Sequence, residues 1–153
     1  MKVIFDKNGA AYRIEPDQDI VGPVFRLKIH DHHTQSSWIG HAKFLWFGND
    51  TLKLADININ PEAVIRFRKI RLLWIFSPIG REDRNCQRLR LGTQLLKHSL
   101  DCVKAMGVKR MWGNITRDDY QKNPNLPKWY AGFGFDVRLN EEFGEYAKIE
   151  LNF

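Results

Sequence analysis

The stretch that decides the fold is Gln87-Arg88-Leu89-Arg90-Leu91-Gly92-Thr93-Gln94-Leu95-Leu96, a short basic turn that opens an apolar helix. A helix start leaves several backbone N–H groups without partners, and the helix dipole adds partial positive charge at the same place. A pyrophosphate can therefore dock on the main chain without a dedicated cage of side chains. Because Arg88 and Arg90 add positive charge, the turn predicts a site for a phosphorylated ligand.

The sequence around this turn predicts one long helix preceded by strands. Residues from Gly92 to Met106 read as a helix, because apolar residues recur on one face and Gly107 supplies a C-terminal stop. Upstream, an early strand is expected within Val3 to Ile14, and Gly48-Asn49-Asp50 is a hairpin turn signal. Three further segments are rich in β-branched, aromatic and other apolar residues: Val24 to Asp31, Trp38 to Phe47 and Thr51 to Ile59. The N-terminal half is therefore predicted to be a β-meander.

Beyond the helix, shorter elements complete the pattern. We expect a strand from Val108 to Ile115, a short helix from Pro127 to Gly132, and a closing pair of strands at Phe135 to Leu139 and Tyr146 to Phe153. This order predicts an α/β fold with a mixed, largely antiparallel sheet flanked by helices, and with few or no helices in the N-terminal half. The long helix should lie in a parallel crossover, with a ligand near the carboxyl ends of the strands.

Length and composition set the class of protein. The 153 residues are the size of a single domain, 1–153, with an apolar share typical of a water-soluble chain. No apolar run approaches the roughly 20 residues of a membrane-spanning helix, and polar residues interrupt the N-terminus where a signal peptide would be apolar. We therefore expect a cytoplasmic protein with no membrane partner. Cys86 and Cys102 are too few and too unpatterned for a disulfide framework or a zinc site, so no metal is expected.

The charge distribution favours an anionic partner. The formal charge is +6, and positive residues gather between Arg66 and Arg71 and again between Arg81 and Arg90. Such a field attracts phosphates, although it does not distinguish a nucleotide cofactor from a nucleic acid or an acidic substrate. A solvated basic face is the plainer interpretation of each run.

Two motifs carry a resemblance to a known family. Gln87, Arg90 and Gly92 follow the spacing of a phosphate turn, with arginine in place of the usual first glycine. Further downstream a second pattern fits except for leucine in place of alanine, at Asn123, Leu126, Trp129, Tyr130, Gly134 and Phe135. On these motifs the chain, from about Thr51 to Phe135, resembles the GNAT superfamily of acetyl-CoA-dependent N-acetyltransferases.

The resemblance implies a GNAT-like fold, acetyl-CoA as co-substrate and a set of site residues. Tyr130 takes the position of the general acid, because a phenol beside the thioester sulfur can protonate the departing thiolate. The strand from Leu54 to Ile59 would present backbone N–H groups to the thioester carbonyl. The residues expected to bind the cofactor are Ile57, Ile59, Gln87, Arg88, Leu89, Arg90, Leu91, Gly92, Thr93 and Asn123.

Transfer to an amine also needs a proton acceptor, because an ammonium must lose a proton before it can attack. Asp56 is the carboxylate nearest the proposed centre, and its other interpretation is a surface-facing strand residue or an acceptor for loop N–H groups. Glu62 and the pair Asp118-Asp119 are weaker candidates, since the pair is expected to organise the turn before the short helix. We interpret His32-His33 as a solvated turn.

Residues 60–86 depart from the family pattern. The family joins its strand to the phosphate turn within a few residues, whereas here Asn60 to Cys86 intervene, including the apolar run Leu72 to Phe76. Either Ile70 to Ser77 is itself the strand before the turn, or residues 60–86 are an insertion that packs over the acceptor site or against a second copy in a homodimer. We favour the insertion, because Ala55-Asp56-Ile57 fits the family's strand better than the segment around Trp74.

Three functions remain in competition. The first is an acyltransferase that moves acetyl from acetyl-CoA to a primary amine by direct attack, with coenzyme A and an amine acceptor as partners. The second is a catalytically inactive GNAT-like ligand-binding domain. The third, a basic nucleic-acid-binding module, is less favoured because no ribonucleoprotein or helix-turn-helix signature is present; its binding would weaken steeply with salt. The sequence identifies neither the acceptor nor the oligomeric state.

Overall fold

The computed structural model describes residues 1–17, 22–32, 38–60, 63–67, 82–85, 89–140 and 144–153. In chain order the strands are β1 Lys2–Phe5, β2 Ala11–Pro16, β3 Val24–Asp31, β4 Gly40–Trp46, β5 Thr51–Ile59, β6 Val64–Phe67, β7 Glu82–Asn85, β8 Arg110–Thr116, β9 Asp136–Leu139 and β10 Glu145–Asn152. The helices are α1 Leu91–Ala105, α2 Arg117–Lys122 and α3 Leu126–Ala131.

The main sheet has eight strands in the order β1-β2-β3-β4-β5-β8-β10-β9. Strands β1 to β5 form an antiparallel meander, and β8, β10 and β9 are also paired antiparallel. The one parallel pair within the described sheet joins β5 to β8, and α1 lies in the crossover between them. The predicted mixed, largely antiparallel sheet is therefore confirmed, as are the N-terminal meander and the crossover helix.

Helix α1 covers the middle of the sheet with one apolar face. Its buried residues are Leu91, Leu95, Leu96, Ser99 and Val103. They lie over alternate residues of the meander, which are themselves buried: Tyr12, Ile14, Leu27, Ile29, Ala42, Phe44, Leu52 and Leu54. Each fully buried leucine contributes about 1.5–3 kcal/mol, so this helix is held by packing. Gly107, with φ 80°, ends the helix region as predicted.

Helix α3 lies on the same face of the sheet as α1. Gly134, which follows α3, sits over Leu151 of β10, where an added Cβ would be 3.6 Å from Leu151 Cδ1. Leu151 is paired with Met111 and Met111 with Leu52, so all three share the α1 face. The start of α1 and the helix α3 can therefore border one ligand site.

The start of α2 and the ribbon of β6 and β7 differ from what the sequence predicted. Asp118 and Asp119 lie in the first turn of α2 rather than in an irregular turn, and Asp119 forms a reciprocal capping box with Thr116. Within residues 60–86, β6 and β7 pair with each other as a separate two-stranded ribbon. The alternative strand, Ile70 to Ser77, lies outside the described residues, as does Glu62, and the insertion stays a prediction.

Candidate active site

A cleft of about 480 Å³ opens where β5 parts from β8. The two strands are paired only from Thr51 to Leu54 of β5. A bulge follows on the β4 side of β5, because Lys43 lies opposite Asp56 and Phe44 opposite Leu54, which leaves Ala55 as the extra residue. The residues that line the cleft are Leu54, Ala55, Asp56, Ile57, Asn58, Ile59, Arg90, Leu91, Gly92, Thr93, Asn114, Asp119, Asn123, Asn125, Leu126, Trp129, Tyr130 and Ile149.

The cleft edge of β5 offers backbone donors. Asn60 donates its N–H to the carbonyl oxygen of Ile39 at 2.7 Å, on the β4 side. Successive N–H groups of a strand point to opposite edges, so those of Ile57 and Ile59 point away from β4. Because β8 has parted from β5 here, these groups face the cleft and can bind an acceptor oxygen.

The opposite wall is formed by the first turn of α1. Gln94 donates its N–H to Arg90 O at 3.1 Å, which is the first hydrogen bond of the helix. The N–H groups of Leu91, Gly92 and Thr93 precede that bond, and no side chain of the described residues caps the helix. An added Cβ at Gly92 would lie 3.7 Å from Ile59 Cγ1, so glycine leaves room between the two walls. This wall suits an anion.

Arg90 adopts the backbone conformation that a glycine takes at low cost. Its φ of 64° and ψ of 14° lie in the left-handed region, and among the described non-glycine residues it alone has a positive φ. This conformation costs roughly 1–2 kcal/mol for a residue with a Cβ. Arg90 therefore holds, at this cost, a conformation that glycine adopts freely, and it adds a positive charge at the cleft.

Tyr130 lies on α3 with its ring almost fully buried. Its neighbours are Trp129, with ring centroids 4.8 Å apart, and Phe135, at 5.5 Å. Burial raises the pKa of the phenol well above its ordinary value of 10, and the negative charges of Asp119 and Asp56 raise it further. At neutral pH the hydroxyl therefore carries its proton, which is the form that a general acid needs.

A hydrogen bond ties the two helices at the cleft together. Trp129 Nε1 donates to Thr93 Oγ1 at 3.2 Å, which joins α3 to the first turn of α1. The position of Tyr130, the next residue, is therefore coupled to the position of the proposed anion site. Sequence spacing alone does not reveal this contact, because 36 residues separate the two partners.

Asp56 lies on the remaining side of the cleft and has a partner on β4. His41 Nε2 is 2.8 Å from Asp56 Oδ2, and the side chain of Asp56 is half exposed. Asp56 is thus an exposed strand residue, as its alternative interpretation expected, and its carboxylate contacts a histidine of the neighbouring strand. The catalytic role of Asp56 stays a prediction.

Most of the predicted site residues gather in the cleft. Those that line it are Asp56, Ile57, Ile59, Arg90, Leu91, Gly92, Thr93, Asn123 and Tyr130. Leu89 does not: its side chain is buried in the hydrophobic core. Gln87 and Arg88 lie outside the described residues. The roles of all these residues stay predictions.

The sequence analysis missed several polar residues of the cleft wall. Asn114 and Asn125 had no motif to mark them. Asp119, which the sequence analysis named only as a weaker candidate for the proton acceptor, also lines the cleft and forms the capping box with Thr116. Within the described ranges no three histidine, cysteine or acidic side chains cluster as metal ligands. No helix there is long and apolar enough to cross a membrane.

Comparison with known proteins identifies the fold. No family model and no curated protein matches the chain. Among solved structures, the GNAT domain of S. lividans PAT is 10% identical with a TM-score of 0.67, over 99% of this chain and 96% of that one. A GNAT family acetyltransferase from Elizabethkingia anophelis, with acetyl-CoA bound, is 13% identical with a TM-score of 0.60, over 93% and 98%.

A third similar structure belongs to a longer chain. The PaiA N-acetyltransferase from Thermoplasma acidophilum, in complex with coenzyme A, is 15% identical with a TM-score of 0.56. The match covers 86% of this chain and 62% of that one, so this chain spans less than two thirds of its length. The chain has the GNAT fold, and the resemblance inferred from the two motifs is confirmed at the level of the fold.

Proposed function

We propose that the protein is an acyltransferase that moves an acetyl group from acetyl-CoA to a primary amine by direct attack. The observation that carries this proposal is that three kinds of chemical group border one cleft. Backbone donors of β5, the uncapped start of α1 and the protonated phenol of Tyr130 all border it. These are the groups that thioester aminolysis requires: a carbonyl polariser, an anion site and a proton donor.

Acetyl-CoA would lie along the cleft between β5 and α1. Its pyrophosphate would accept hydrogen bonds from the N–H groups of Leu91, Gly92 and Thr93, aided by the charges of Arg88 and Arg90, with Gln87 and Asn123 beside it. Its thioester carbonyl would accept from the N–H of Ile57 or Ile59. Donors that are fixed before the reaction stabilise the oxyanion as it forms, because they need no reorganisation.

The proposed acetyl transfer consists of deprotonation of the amine, attack on the thioester and protonation of the leaving thiolate. The acceptor ammonium loses a proton to the Asp56 carboxylate, and the neutral amine attacks the thioester carbonyl. The tetrahedral intermediate collapses with cleavage of the C–S bond, and the Tyr130 hydroxyl protonates the departing thiolate. The second proton of the attacking nitrogen then returns to the Tyr130 phenolate through solvent, and the proton held by Asp56 is released. The products are the N-acetylated amine, coenzyme A with a free thiol, and one proton released to solvent.

Residues 60–86 are proposed as the insertion that completes the acceptor side. The ribbon of β6 and β7 is paired within itself rather than with the main sheet, which supports an added element. Since it follows β5 directly in the chain, it emerges beside the cleft. We propose that this segment packs over the acceptor site or against a second copy of the chain.

The test of the function is acceptor-dependent release of the coenzyme A thiol, measured with a panel of primary amines. Tyr130→Phe keeps the ring and its packing but removes the proton donor, so single-turnover transfer should slow by about a hundredfold to ten-thousandfold. Its affinity for acetyl-CoA should stay close to that of the wild type. Transfer at the wild-type rate would assign the acid to water or to another group, and absence of thiol release with every amine would contradict the proposal.

A further inference from the structure

The side chain of His41 contacts Asp56, which borders the cleft. His41 lies on β4, next to β5, and its Nε2 is 2.8 Å from Asp56 Oδ2. The imidazole is largely buried, with 15% of its side chain exposed, while that of Asp56 is 50% exposed. Asp56 borders the cleft and His41 does not. Any effect of His41 on the chemistry must therefore act on the carboxylate.

The second ring nitrogen of His41 fixes which tautomer is present. Nδ1 is buried and has no hydrogen-bond partner in the described structure. An imidazolium would leave a charged N–H donor buried there without an acceptor, which costs more than an unpaired lone pair. The neutral ring with its proton on Nε2 avoids that cost. In this form His41 donates from Nε2 to Asp56 Oδ2.

Neighbouring groups hold the imidazole ring in place. Trp38 packs its ring against that of His41, with centroids 5.1 Å apart and an interplanar angle of 71°. On β3 the residue opposite His41 is Lys28, whose ammonium lies 2.8 Å from Asp17 Oδ1. Lys43 lies opposite Asp56 in the same strand pair. The His41 ring is thus held in place where its Nε2–H can donate a hydrogen bond to Asp56 Oδ2, away from the cleft.

We propose that His41 is a positioning residue that holds Asp56 with Oδ1 directed to the acceptor amine. The inference rests on the proposed function, in which Asp56 takes the ammonium proton. An aspartate on a strand edge otherwise rotates among several orientations, and each misplaced orientation lengthens the proton transfer. The hydrogen bond to Oδ2 removes that freedom, and the proton passes from the amine nitrogen to Oδ1 while His41 keeps its own.

The kinetic test uses two substitutions at His41. His41→Leu removes the donor, and kcat for acetyl transfer should fall about tenfold, since misplacement of a catalytic group has costs of this order or more. KM for acetyl-CoA should not change. His41→Gln places an amide N–H near the position of Nε2 and should restore kcat to within about threefold of the wild type, because the hydrogen bond is retained.

Two further variants separate positioning from simple packing. In the Asp56→Asn background, His41→Leu should cause no further loss, because residues that act through one another are not additive. His30→Leu is the matched control: His30 Nε2 lies 3.5 Å from Glu15 Oε1, its side chain is also 15% exposed, and it does not border the cleft. That variant should keep the wild-type kcat. Wild-type kcat in His41→Leu, or an additive loss in the double variant, would overturn the proposal.

A spectroscopic measurement tests the contact without any turnover. The ¹⁵N chemical shifts of the His41 ring should report a proton on Nε2 and none on Nδ1 in the wild type, and this tautomer should no longer be fixed in Asp56→Ala. A proton on Nδ1 in the wild type would overturn the proposal. If no amine supports thiol release, the proposed function fails, and the ring measurement still decides whether His41 holds Asp56.

Discussion

At the scale of single residues, Arg90 combines a strained backbone with a useful charge. A left-handed residue with a Cβ persists only where the surrounding structure holds it, and such residues concentrate at ligand sites. Here the conformation turns the chain into the first turn of α1, where three N–H groups face the cleft. The arginine side chain provides the positive charge that a glycine cannot.

The strain at Arg90 can be measured by comparing two substitutions that both remove the charge. Arg90→Gly relieves the left-handed φ, whereas Arg90→Ala keeps the Cβ that causes the cost. We expect the glycine variant to have the larger free energy of unfolding, by about 1 kcal/mol, in urea denaturation. An alanine variant that is the more stable of the two would mean that residue 90 does not adopt this conformation.

The sequence predicted the positions of some site residues but not the contact between His41 and Asp56, and the reason is physical. Tyr130 and Gly92 belong to motifs whose members are close in the chain, so spacing was enough to place them in the cleft. The partners His41 and Asp56 are brought together only by the register of β4 and β5, which a bulge shifts after Lys43. A register of this kind cannot be derived from a pattern of apolar residues.

At the scale of elements, the cleft exists because β5 continues to Ile59, beyond Leu54, its last residue paired with β8. Four residues of β5 are paired in parallel with β8, and the rest of the strand continues alone along the cleft. The separation frees the N–H groups of Ile57 and Ile59, and it creates the gap that α1 and α3 border. In a closed sheet the same groups would be bound to β8.

Gly92 tests this arrangement, because it sets the distance between β5 and α1. Among the described residues, a Cβ at position 92 meets only Ile59 Cγ1, at 3.7 Å, so Gly92→Ala and Gly92→Val should fold. The valine should block the main-chain contacts to the pyrophosphate and weaken acetyl-CoA binding by roughly tenfold to a hundredfold, the cost of losing one hydrogen bond to a charged group. The alanine should weaken it less. Unchanged affinity in the valine variant, measured by calorimetry, would mean that the anion site lies elsewhere.

The elements with an extended apolar pattern were predictable, as were the short elements α3 and β9, which lie within one residue of their predicted bounds, whereas α2, β6 and β7 were not predicted. Strands β3 and β5 occur at the predicted bounds and α1 is displaced by one residue, because each has an extended apolar pattern. Helix α2 has six residues and none is buried, so it has no apolar stripe to detect. The ribbon of β6 and β7 has four residues in each strand, and a charged run marks β7 rather than alternation.

At the scale of the whole molecule, helices α1 and α3 lie on one face of an eight-stranded sheet, and the first strands of the meander extend beyond α1. The face under the helices holds the apolar core, while the opposite face carries charged pairs such as Arg26 with Asp17 and Arg110 with Glu150. Helices α1 and α3 therefore border the cleft from the apolar face of the sheet, while Asp56, which lies opposite Lys43, is on the other face. The net positive charge then favours the approach of a phosphorylated cofactor.

The measurement that tests the central claim most directly is calorimetric titration of the wild-type protein with acetyl-CoA, paired with its melting temperature. The account predicts saturable binding of one acetyl-CoA per chain. Binding to the folded state alone should add about 2.7 kcal/mol of stability at a hundredfold excess over Kd, seen as a higher melting temperature. No heat of binding and no change in melting temperature at saturating acetyl-CoA would contradict the claim that this cleft is a coenzyme A site.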